Sequence, residues 1–481
     1  MTNAGALFVS VSAIALLMLP RHWAALSLLA GASYMTLGQQ IDVGPLSFTV
    51  IRILGLIGVV RVLIRREDIA GGVNALDKMI MVWGAWALFS SAFHEPKGEA
   101  FVFRLGLVYT AFAVYFLMRC LCRGVEDAVK IFQLTAVLLV PLALEMCLER
   151  VTGQNLFAVL GGVPEMAAVR GEEVRAQGPF AHPILAGVAG AAMLPVMIGL
   201  RHRHPVFGIV GAVASAVIVI CCNSSGPLVS VGIALMGLLW YRWRHRTRQL
   251  WILMALGYVM LDIVMKAPAY FLIARIDLTG GSTGWHRAEL IRSSIEHVNE
   301  WWFAGTDYTR HWMPHGVLWS EDHCDITNYY IRMGVIGGLP LMCLLVGIFA
   351  VAFKYVGDIV RWHVEGVGGE RLFMWSLGVS LYTHAVTCIS VSYFDQSVIY
   401  LYVTLAVVGS VHGLFSLAEA QGSAAESEAH VWLGESEKVD VDGSVAERGL
   451  LWTVRRNALG FGTTAWRVGR SIVFGSWRWS I

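Results

Sequence analysis

The chain has 481 residues, of which 56% are hydrophobic and only 15% are charged, and its formal net charge is +2. Soluble domains carry about 25% charged residues, so this composition excludes an ordinary soluble domain. The small net charge gives no indication of a nucleic-acid partner. Apolar runs near 20 residues recur along the chain, as is typical of transmembrane helices. We therefore expect an all-α, polytopic membrane protein with about 12–13 transmembrane helices in a lipid bilayer.

The first apolar run, at residues 4–20, lacks a basic leading region and a small-residue cleavage site, which predicts a mature helix rather than a signal peptide. Further runs follow as far as 396–417, so residues 1–417 are predicted to form one transmembrane domain. One set of alternate loops is rich in Lys and Arg, which predicts that those loops are cytoplasmic. The loops at 149–181 and 268–333 then face the outside, although both contain arginines.

Two arginines fall within predicted membrane helices. Arg52 and Arg104 occupy the first turns of the third and fifth apolar runs, near the outer face. An ionisable residue inside a membrane helix indicates a functional site by default. The alternative is a long side chain that reaches to the outer lipid headgroups. Both interpretations stay open at this point.

The first outer loop contains the sequence VRGEEVRAQGPFAHP. It carries Arg170, Arg175 and His182, and its Gly-Pro pair favours a turn. Pro183 is predicted to open the next helix at its first turn. A second short turn, CCNSSGP, is predicted between two later membrane helices on the same side. An ordinary solvated loop with a proline helix start is the simpler alternative for the first loop.

The long polar stretch at residues 280–340 is the strongest functional candidate, because polar loops on a rigid scaffold often carry chemistry. Residues 285–302 are predicted to be helical from an apolar stripe. A second helix is predicted to begin with Asp325 or Thr327 as N-cap and to continue into the next membrane helix. His323 would then precede a helix N-terminus, a place that favours anions. The charged residues that make this stretch unusual include Arg287, Arg292, Arg310, Arg332, His286, His297, His311, His315 and His323.

Four short motifs in fixed order resemble those of the O-antigen ligase and polymerase superfamily. They are RAQGPFAHP, then SSGP, then GWHRAEL with GTDY, and last HCDITNYYIRMGVIGGLP. The resemblance covers about residues 170–345. It implies a GT-C type, metal-independent, inverting glycosyltransferase with no cofactor. Its donor would be a polyprenyl-pyrophosphate-linked glycan at the periplasmic face of a bacterial inner membrane, and its acceptor a lipid A core or another glycan.

The resemblance also implies roles for individual residues. Arg175 and Arg287 are expected to hold the pyrophosphate, and His323 is expected to act in catalysis. Arg170, Arg292, Arg310 and Arg332 are further substrate-binding candidates, and either Arg287 or Arg292 fits the family's phosphate-binding arginine. Apart from the resemblance, His182 and Asp325 complete the substrate-binding set. The Asp325 carboxylate could orient the imidazole of His323, although a spacing of two residues does not require contact.

The chemistry of the residues agrees with these roles. A pyrophosphate leaving group needs positive charge, and arginine supplies permanent charge and bidentate contacts. Histidine is the usual base for an acceptor hydroxyl near neutral pH, with His311 and His315 as weaker candidates than His323. A metal site formed by Glu321, Asp322, His323 and Asp325 is the less favoured alternative.

Three functions compete, and we rank them in order. The first is a ligase that transfers a lipid-linked glycan to an acceptor. The second is an O-antigen or exopolysaccharide polymerase that uses the same donor. The third is a polysaccharide transporter, which the absence of an internal sequence repeat disfavours.

The tail at residues 418–481 is predicted to be cytoplasmic. Its first part is acidic and poor in large apolar residues, which is typical of disorder. Its last thirty or so residues combine arginines with tryptophans, which favours an interfacial segment on anionic lipid.

Overall fold

The protein is predominantly helical in a computed structural model that describes residues 1–275, 284–362 and 368–434. Within these ranges it forms fifteen α-helices and three two-stranded hairpins, which confirms the predicted all-α class. The helices are α1 (Asn3–Met18), α2 (Arg21–Tyr34), α3 (Val50–Arg65), α4 (Ala75–Ser90), α5 (Lys97–Leu121), α6 (Val125–Thr152), α7 (Pro183–Leu200), α8 (Pro205–Cys221), α9 (Ser225–Leu239), α10 (Thr247–Val264), α11 (Gly284–Glu296), α12 (Val298–Trp301), α13 (Tyr329–Trp362), α14 (Gly368–Thr387) and α15 (Val398–Gly434).

Every predicted apolar segment overlaps one of these helices, and α11 and α12 occupy the long polar loop. Among the described residues, six helical stretches are long and apolar enough to cross a membrane, and two shorter apolar helices, α1 and α8, accompany them. These features are consistent with a membrane-embedded protein. The six stretches are Lys97–Leu121, Val125–Thr152, Pro183–Leu200, Ser225–Val264, Tyr329–Arg361 and Val398–Gln421.

The helix bundle has two ends that differ in their connections. One end, which we call the loop end, holds residues 35–49, 150–182, 284–328 and 388–397. All three hairpins lie there, and each is antiparallel. They are β1 (Gln40–Val43) with β2 (Leu46–Thr49), β3 (Ala168–Arg170) with β4 (Glu173–Arg175), and β5 (Gly316–Val317) with β6 (Ser320–Cys324).

The opposite end holds the loops that are rich in Lys and Arg, and two of its arginines are fully buried. Arg119 pairs with Asp77 at 2.9 Å and also donates to the Ala70 carbonyl at 2.7 Å. Arg61 pairs with Glu67 at 2.7 Å. Buried charges are tolerated when they are paired and hydrogen-bonded, so these two side chains fasten helix ends together. They are structural groups rather than the solvated loop charges that the sequence suggested.

A break divides α13 at Gly337 and Gly338, where the backbone leaves the helical region and Gly338 has a φ of 75°. A side chain at Gly338 has no room, because an added Cβ would lie 2.1 Å from the Phe303 carbonyl oxygen. The break frees carbonyl groups that a membrane helix must satisfy within the protein. Arg104 donates to the Ile336 carbonyl at 2.6 Å, and Trp86 donates to the Gly337 carbonyl at 2.7 Å.

Arg104 is therefore a structural residue in this fold, with both of its contacts to Ile336 made from a buried position. The sequence left two alternatives open for Arg104, a functional site or contact with lipid headgroups. These hydrogen bonds fit neither alternative. The guanidinium replaces the hydrogen bonds that the helix break removes.

The loop end has a hydrophobic core of its own, separate from the large core of the bundle. We call it the loop core, and it joins α11 and α12 to the first turns of α13. This packing holds the polar loop as an ordered layer on the bundle. The buried members of the loop core are Leu290, Trp301, Trp312, Met313, Cys324, Ile331 and Val335.

The last described helix, α15, continues to Gly434, beyond the boundary at 417 that the apolar pattern predicted. Residues 418–434 are thus helical, where the acidic composition predicted disorder. The basic aromatic segment that the sequence predicts near the C-terminus lies outside the described residues.

Candidate functional site

The GPF turn at residues 177–180 shapes one wall of the loop end. Gly178 has a φ of 56°, which a side chain would strain. The carboxylate of Glu149, at the end of α6, accepts the backbone N–H groups of Gln177 at 3.0 Å and Gly178 at 2.8 Å. Asn155 donates to the Gly178 carbonyl at 2.8 Å. These bonds fix the turn between β4 and α7.

Arg175 ends β4 and points into this wall. Its side chain is buried, and it donates a hydrogen bond to the Ser224 hydroxyl of the SSGP turn. Its Nε–H is also buried and has no hydrogen-bond partner among the described residues. Buried donors are nearly always satisfied in folded proteins, so an unpaired one marks a place where a ligand can bind.

His182 lies beside this arginine as the N-cap of α7, with Pro183 at the first helical position as predicted. Its Nδ1 accepts the Ile184 N–H at 3.1 Å, which requires the hydrogen of the neutral ring to be on Nε2. Burial, with the charges of Arg175 and then Arg170, lowers the pKa of His182 to about 4. The ring is therefore neutral at pH 7, and its free nitrogen can donate but cannot accept a proton.

The charge of Arg170 connects several of these groups. Burial is the main cause of the lowered pKa values of Arg175, His182 and Arg287, and the positive charge of Arg170 contributes at all three. Arg170, at the end of β3, therefore lies close enough to each of them for repulsion. The structure thus brings together residues from β3, β4 and α11 that are over one hundred positions apart in the sequence.

Arg287 and Arg332 both contact the connection between α14 and α15. Arg287 on α11 donates from Nε to the Ser390 carbonyl at 3.0 Å. Arg332 on the first turn of α13 donates to the Ser392 hydroxyl at 3.2 Å and to the Tyr393 carbonyl at 3.1 Å. These contacts extend the arginine cluster, which we define as Arg170, Arg175, Arg287 and Arg332.

The α14–α15 connection, residues 388–397, also braces the GPF turn. Asp395 is buried and accepts the Ala181 N–H at 2.9 Å. Burial raises the pKa of Asp395, although hydrogen bonds from Ser397 and the Ala181 amide oppose this shift. Gln396 donates to the Pro179 carbonyl at 2.7 Å. The same ten residues therefore hold both walls of the arginine cluster.

Sequence reasoning missed this connection. The apolar pattern runs through residues 372–393 and resumes at 396, which left almost no loop between the two predicted helices. The helices end and begin at Thr387 and Val398 instead. The polar run SVSYFDQS between two apolar helices was the signal that could have indicated it.

A cavity of about 320 Å³ opens beside Arg332 and is also lined by Arg52. Arg52 donates to the Ser47 carbonyl at 2.5 Å and to the Thr110 hydroxyl at 3.2 Å. The remaining lining combines apolar side chains, such as Phe103 and Leu107, with polar ones that include Thr110 and the carboxylate of Asp395. Arg52 thus lines the cavity, while Arg104 lies at the helix break.

Several predicted site residues lie apart from the arginine cluster. Arg292 forms ion pairs with Glu289 at 3.1 Å and Glu296 at 3.4 Å on its own helix, and its side chain is half exposed. Arg310 donates to the Met313 and Pro314 carbonyls and so closes its own loop. Between Arg287 and Arg292, the structure places only Arg287 in the cluster.

His323 lies in β6, and Asn328, rather than Asp325 or Thr327, caps the following helix. The Asn328 side chain accepts the N–H groups of Tyr330 at 2.9 Å and Ile331 at 3.1 Å. The Nδ1 of His323 contacts the Ser320 hydroxyl at 2.8 Å, and its ring stacks on Trp319. The expected contact between His323 and Asp325 is absent from the described hydrogen bonds and ion pairs.

Asp325 instead acts on its neighbours through its charge and its backbone. It is the carboxylate whose attraction opposes the lowering of the Arg287 pKa. Its carbonyl accepts a hydrogen bond from His286 Nε2 at 3.0 Å. That bond places the His286 proton on Nε2 and leaves Nδ1 of the neutral ring as an acceptor. His286, directly before Arg287, is therefore a base candidate that sequence reasoning passed over.

The donor atoms of the acidic run Glu321, Asp322, His323 and Asp325, which all lie in the described part of the chain, do not converge as those of a metal site would. In the described part of the chain, one group of His, Cys, Asp and Glu side chains converges closely enough to hold an ion, and it is His297, Glu300 and His311. The metal alternative raised by the sequence was therefore wrong about which residues converge.

No protein-family model matches this chain, and no curated protein matches it.

Proposed function

We propose that the protein is a membrane glycosyltransferase that takes a glycan from a polyprenyl-pyrophosphate donor and transfers it to an acceptor. The observation that carries this proposal is the arginine cluster at one end of an apolar helix bundle. None of its four members forms an ion pair with a carboxylate within 4.0 Å in the described ranges. Such an excess of positive charge favours a multiply charged anion.

Pyrophosphate suits this cluster in charge and in hydrogen bonding. Within the described residues, Arg287 uses one of its five N–H donors in a hydrogen bond to the protein, so its fork remains free for phosphate oxygens. Arg175 has the unpaired buried Nε–H described above. Fixed donors stabilise the charge that develops on the leaving pyrophosphate as the glycosidic bond breaks, and they do so without a metal ion. The Nε2–H of His182 is a further neutral donor.

The cavity beside Arg52 and Arg332 supports a donor with a lipid tail. The apolar part of its lining suits a prenyl chain, while the two guanidinium groups suit the phosphate end. We place this end of the bundle on the periplasmic face of a bacterial inner membrane, because the loops rich in Lys and Arg lie at the opposite end.

Deprotonation of the acceptor hydroxyl needs a base within hydrogen-bond reach. His323 remains our first candidate, since one ring nitrogen contacts Ser320 and the other is available. His286 is the second candidate, because its hydrogen bond to the Asp325 carbonyl fixes the tautomer that a base requires. His182 is unsuited, because its accepting nitrogen is already bonded to the Ile184 N–H.

The decisive experiment uses purified protein in lipid vesicles with a polyprenyl-pyrophosphate glycan and an acceptor. We expect transfer with inversion at the anomeric carbon. His323→Ala should slow transfer by roughly 100- to 10,000-fold with donor binding nearly unchanged. The matched variant His286→Ala decides between the two bases. If neither variant slows transfer, the reaction proceeds without a histidine base and our assignment is wrong.

The identity of the acceptor separates ligase from polymerase. In a strain that lacks the protein, full-length glycan on the lipid carrier indicates a ligase, which we propose first. Accumulation of single repeat units indicates a polymerase. Unchanged carrier-linked glycans would contradict both transferase functions and favour a transporter.

A further inference from the structure

A second polar cluster lies in the loop layer, at the far end of α11 from Arg287. His297 follows the last residue of α11, Glu300 lies on α12, and His311 lies in the short helical turn Arg310–Trp312. One side-chain donor atom from each lies within 4.8 Å of the others. Arg287 and His297 are ten positions apart, which is about 15 Å along a helix, so this cluster is distinct from the arginine cluster.

We propose that His297, Glu300 and His311 form a binding site for one divalent transition-metal ion of the Zn²⁺ type. Two imidazole nitrogens and a carboxylate oxygen are a donor set that such ions prefer. At metal–ligand distances near 2.1 Å, tetrahedral ligands lie about 3.4 Å apart. His311 Nε2 and Glu300 Oε1 are already 3.0 Å apart, so small side-chain rotations bring the three donors into place.

The partners of the three ligands strengthen this assignment. His297 donates from Nδ1 to the Ser293 carbonyl at 2.9 Å, which leaves Nε2 as the atom with a free electron pair. The other oxygen of Glu300 accepts a hydrogen bond from Trp312 Nε1 at 3.0 Å. Metal-bound histidines and carboxylates typically have such outer hydrogen bonds, which fix the orientation of the ligand atoms.

The surroundings make the site both accessible and well supported. The side chains of His311 and Glu300 are 34% and 37% exposed, so an ion can enter and water can fill the fourth position. Trp312 and Trp301, which flank the ligands, are buried in the loop core. The ring of His311 also stacks on Tyr308.

A bound ion would join α12 to the 310–312 segment across the loop core. The ion would cross-link and so stabilise the layer that carries Arg287, without contacting the arginine cluster. This inference does not depend on the transferase activity, since it concerns binding by a separate set of residues.

The test measures Zn²⁺ and Co²⁺ binding to the full chain, purified without a polyhistidine tag and treated with chelator. We expect saturable binding of one ion per chain and a tetrahedral Co²⁺ absorption spectrum. His297→Ala, His311→Ala and Glu300→Gln should each abolish saturable binding. Trp312→Phe keeps all three ligands but removes an outer hydrogen bond, so we expect binding to weaken by about 10- to 100-fold.

His315→Ala is the matched control, because His315 lies in the same loop and outside the group. It should bind the ion like the unmodified protein. Absence of stoichiometric binding at micromolar metal, or binding that survives all three ligand substitutions, overturns the proposal. Glu300→Gln keeps an oxygen that can accept the Trp312 hydrogen bond and should therefore fold normally. A loss of metal binding in this variant is then due to the missing carboxylate rather than to misfolding.

The same variants keep this inference separable from the proposed function. If chelation lowers the rate of transfer and His297→Ala lowers it to the same extent, the loss is due to removal of the ion from the proposed metal site. If transfer by the His297→Ala variant still requires a metal ion, the arginine-based mechanism is contradicted. The proposed metal site is then tested by the binding measurements alone.

Discussion

Replacing Arg287 and Arg292 in parallel tests the arginine cluster most directly. Both arginines lie on α11, five positions apart, and only Arg287 contacts the α14–α15 connection. Arg287→Ala removes a guanidinium whose remaining donors can bind pyrophosphate. Hydrogen bonds to charged groups contribute about 1.5–3 kcal/mol each. The loss of one bidentate contact at the lower value is about 3 kcal/mol, or roughly a 150-fold lower kcat/KM.

Two further variants complete the comparison. Arg287→Lys keeps the charge but makes one contact, so about half of the free energy should be lost, or roughly a tenfold decrease. Arg292→Ala removes two half-exposed ion pairs, to Glu289 and Glu296. Exposed pairs of this kind contribute well under about 1 kcal/mol to stability. Because Arg292 also lies outside the arginine cluster, we expect less than about a threefold change in kcat/KM.

The assay is glycan transfer by reconstituted protein across a series of donor concentrations. Thermal unfolding of each variant in detergent controls for folding. Equal losses in Arg287→Ala and Arg292→Ala, with both variants folded, would refute the reasoning, because the structure distinguishes the two by their surroundings. A fully active Arg287→Ala would remove the cluster from the mechanism.

The remaining predictions concern the walls of the site and the tail. The native state binds a proton on His182 less tightly than the unfolded chain does, since its pKa is lowered to about 4. The free energy of unfolding should therefore be highest above about pH 6.5 and should fall by up to about 3 kcal/mol as the pH decreases to 4. The variant His182→Asn, which keeps a capping oxygen, should not show this decrease when unfolding is measured as a function of pH. Asp395→Ala should lower the free energy of unfolding by about 1–3 kcal/mol, because it leaves the partly buried Ala181 N–H without its acceptor. Exposed Asp325→Ala should change it by less than about 0.5 kcal/mol, and equal effects would contradict the bracing role. Truncation after Ala420 should retain transfer, and complete loss of activity in a membrane-inserted truncated protein would contradict this.

The helices could be predicted from the sequence because their cause is local. A run of about 20 apolar residues must form its backbone hydrogen bonds internally in a bilayer, and helix formation follows from composition alone. The same reasoning identified Pro183 as a helix start. It failed at Gly337, where α13 breaks although its composition remains apolar. The hydrogen bonds that compensate for this break come from Trp86 and Arg104, which are far from Gly337 in the sequence.

The candidate site was only partly predictable for the same reason. Arg175 and Arg287 were identified from short motifs, and the structure places both in one cluster. The burial of Arg119 could not be foreseen, because its partner Asp77 lies on another helix. The local ion pairs with Glu289 and Glu296 set Arg292 apart from Arg287. The contact of Arg287 with Ser390, about one hundred residues later, could not be foreseen from the local sequence.

The connection at residues 388–397 has a consequence for biosynthesis. Membrane proteins enter the bilayer from the N-terminus onward, as the ribosome elongates the chain. Arg175 and Arg287 are synthesised early, but the groups that position them, Ser390 and Asp395, follow only after α14. A nascent chain that lacks residues 388–397 already contains the arginines of the site, but the contacts that position them have not yet formed. The arrangement of the arginine cluster is therefore completed only when almost the whole bundle has been inserted.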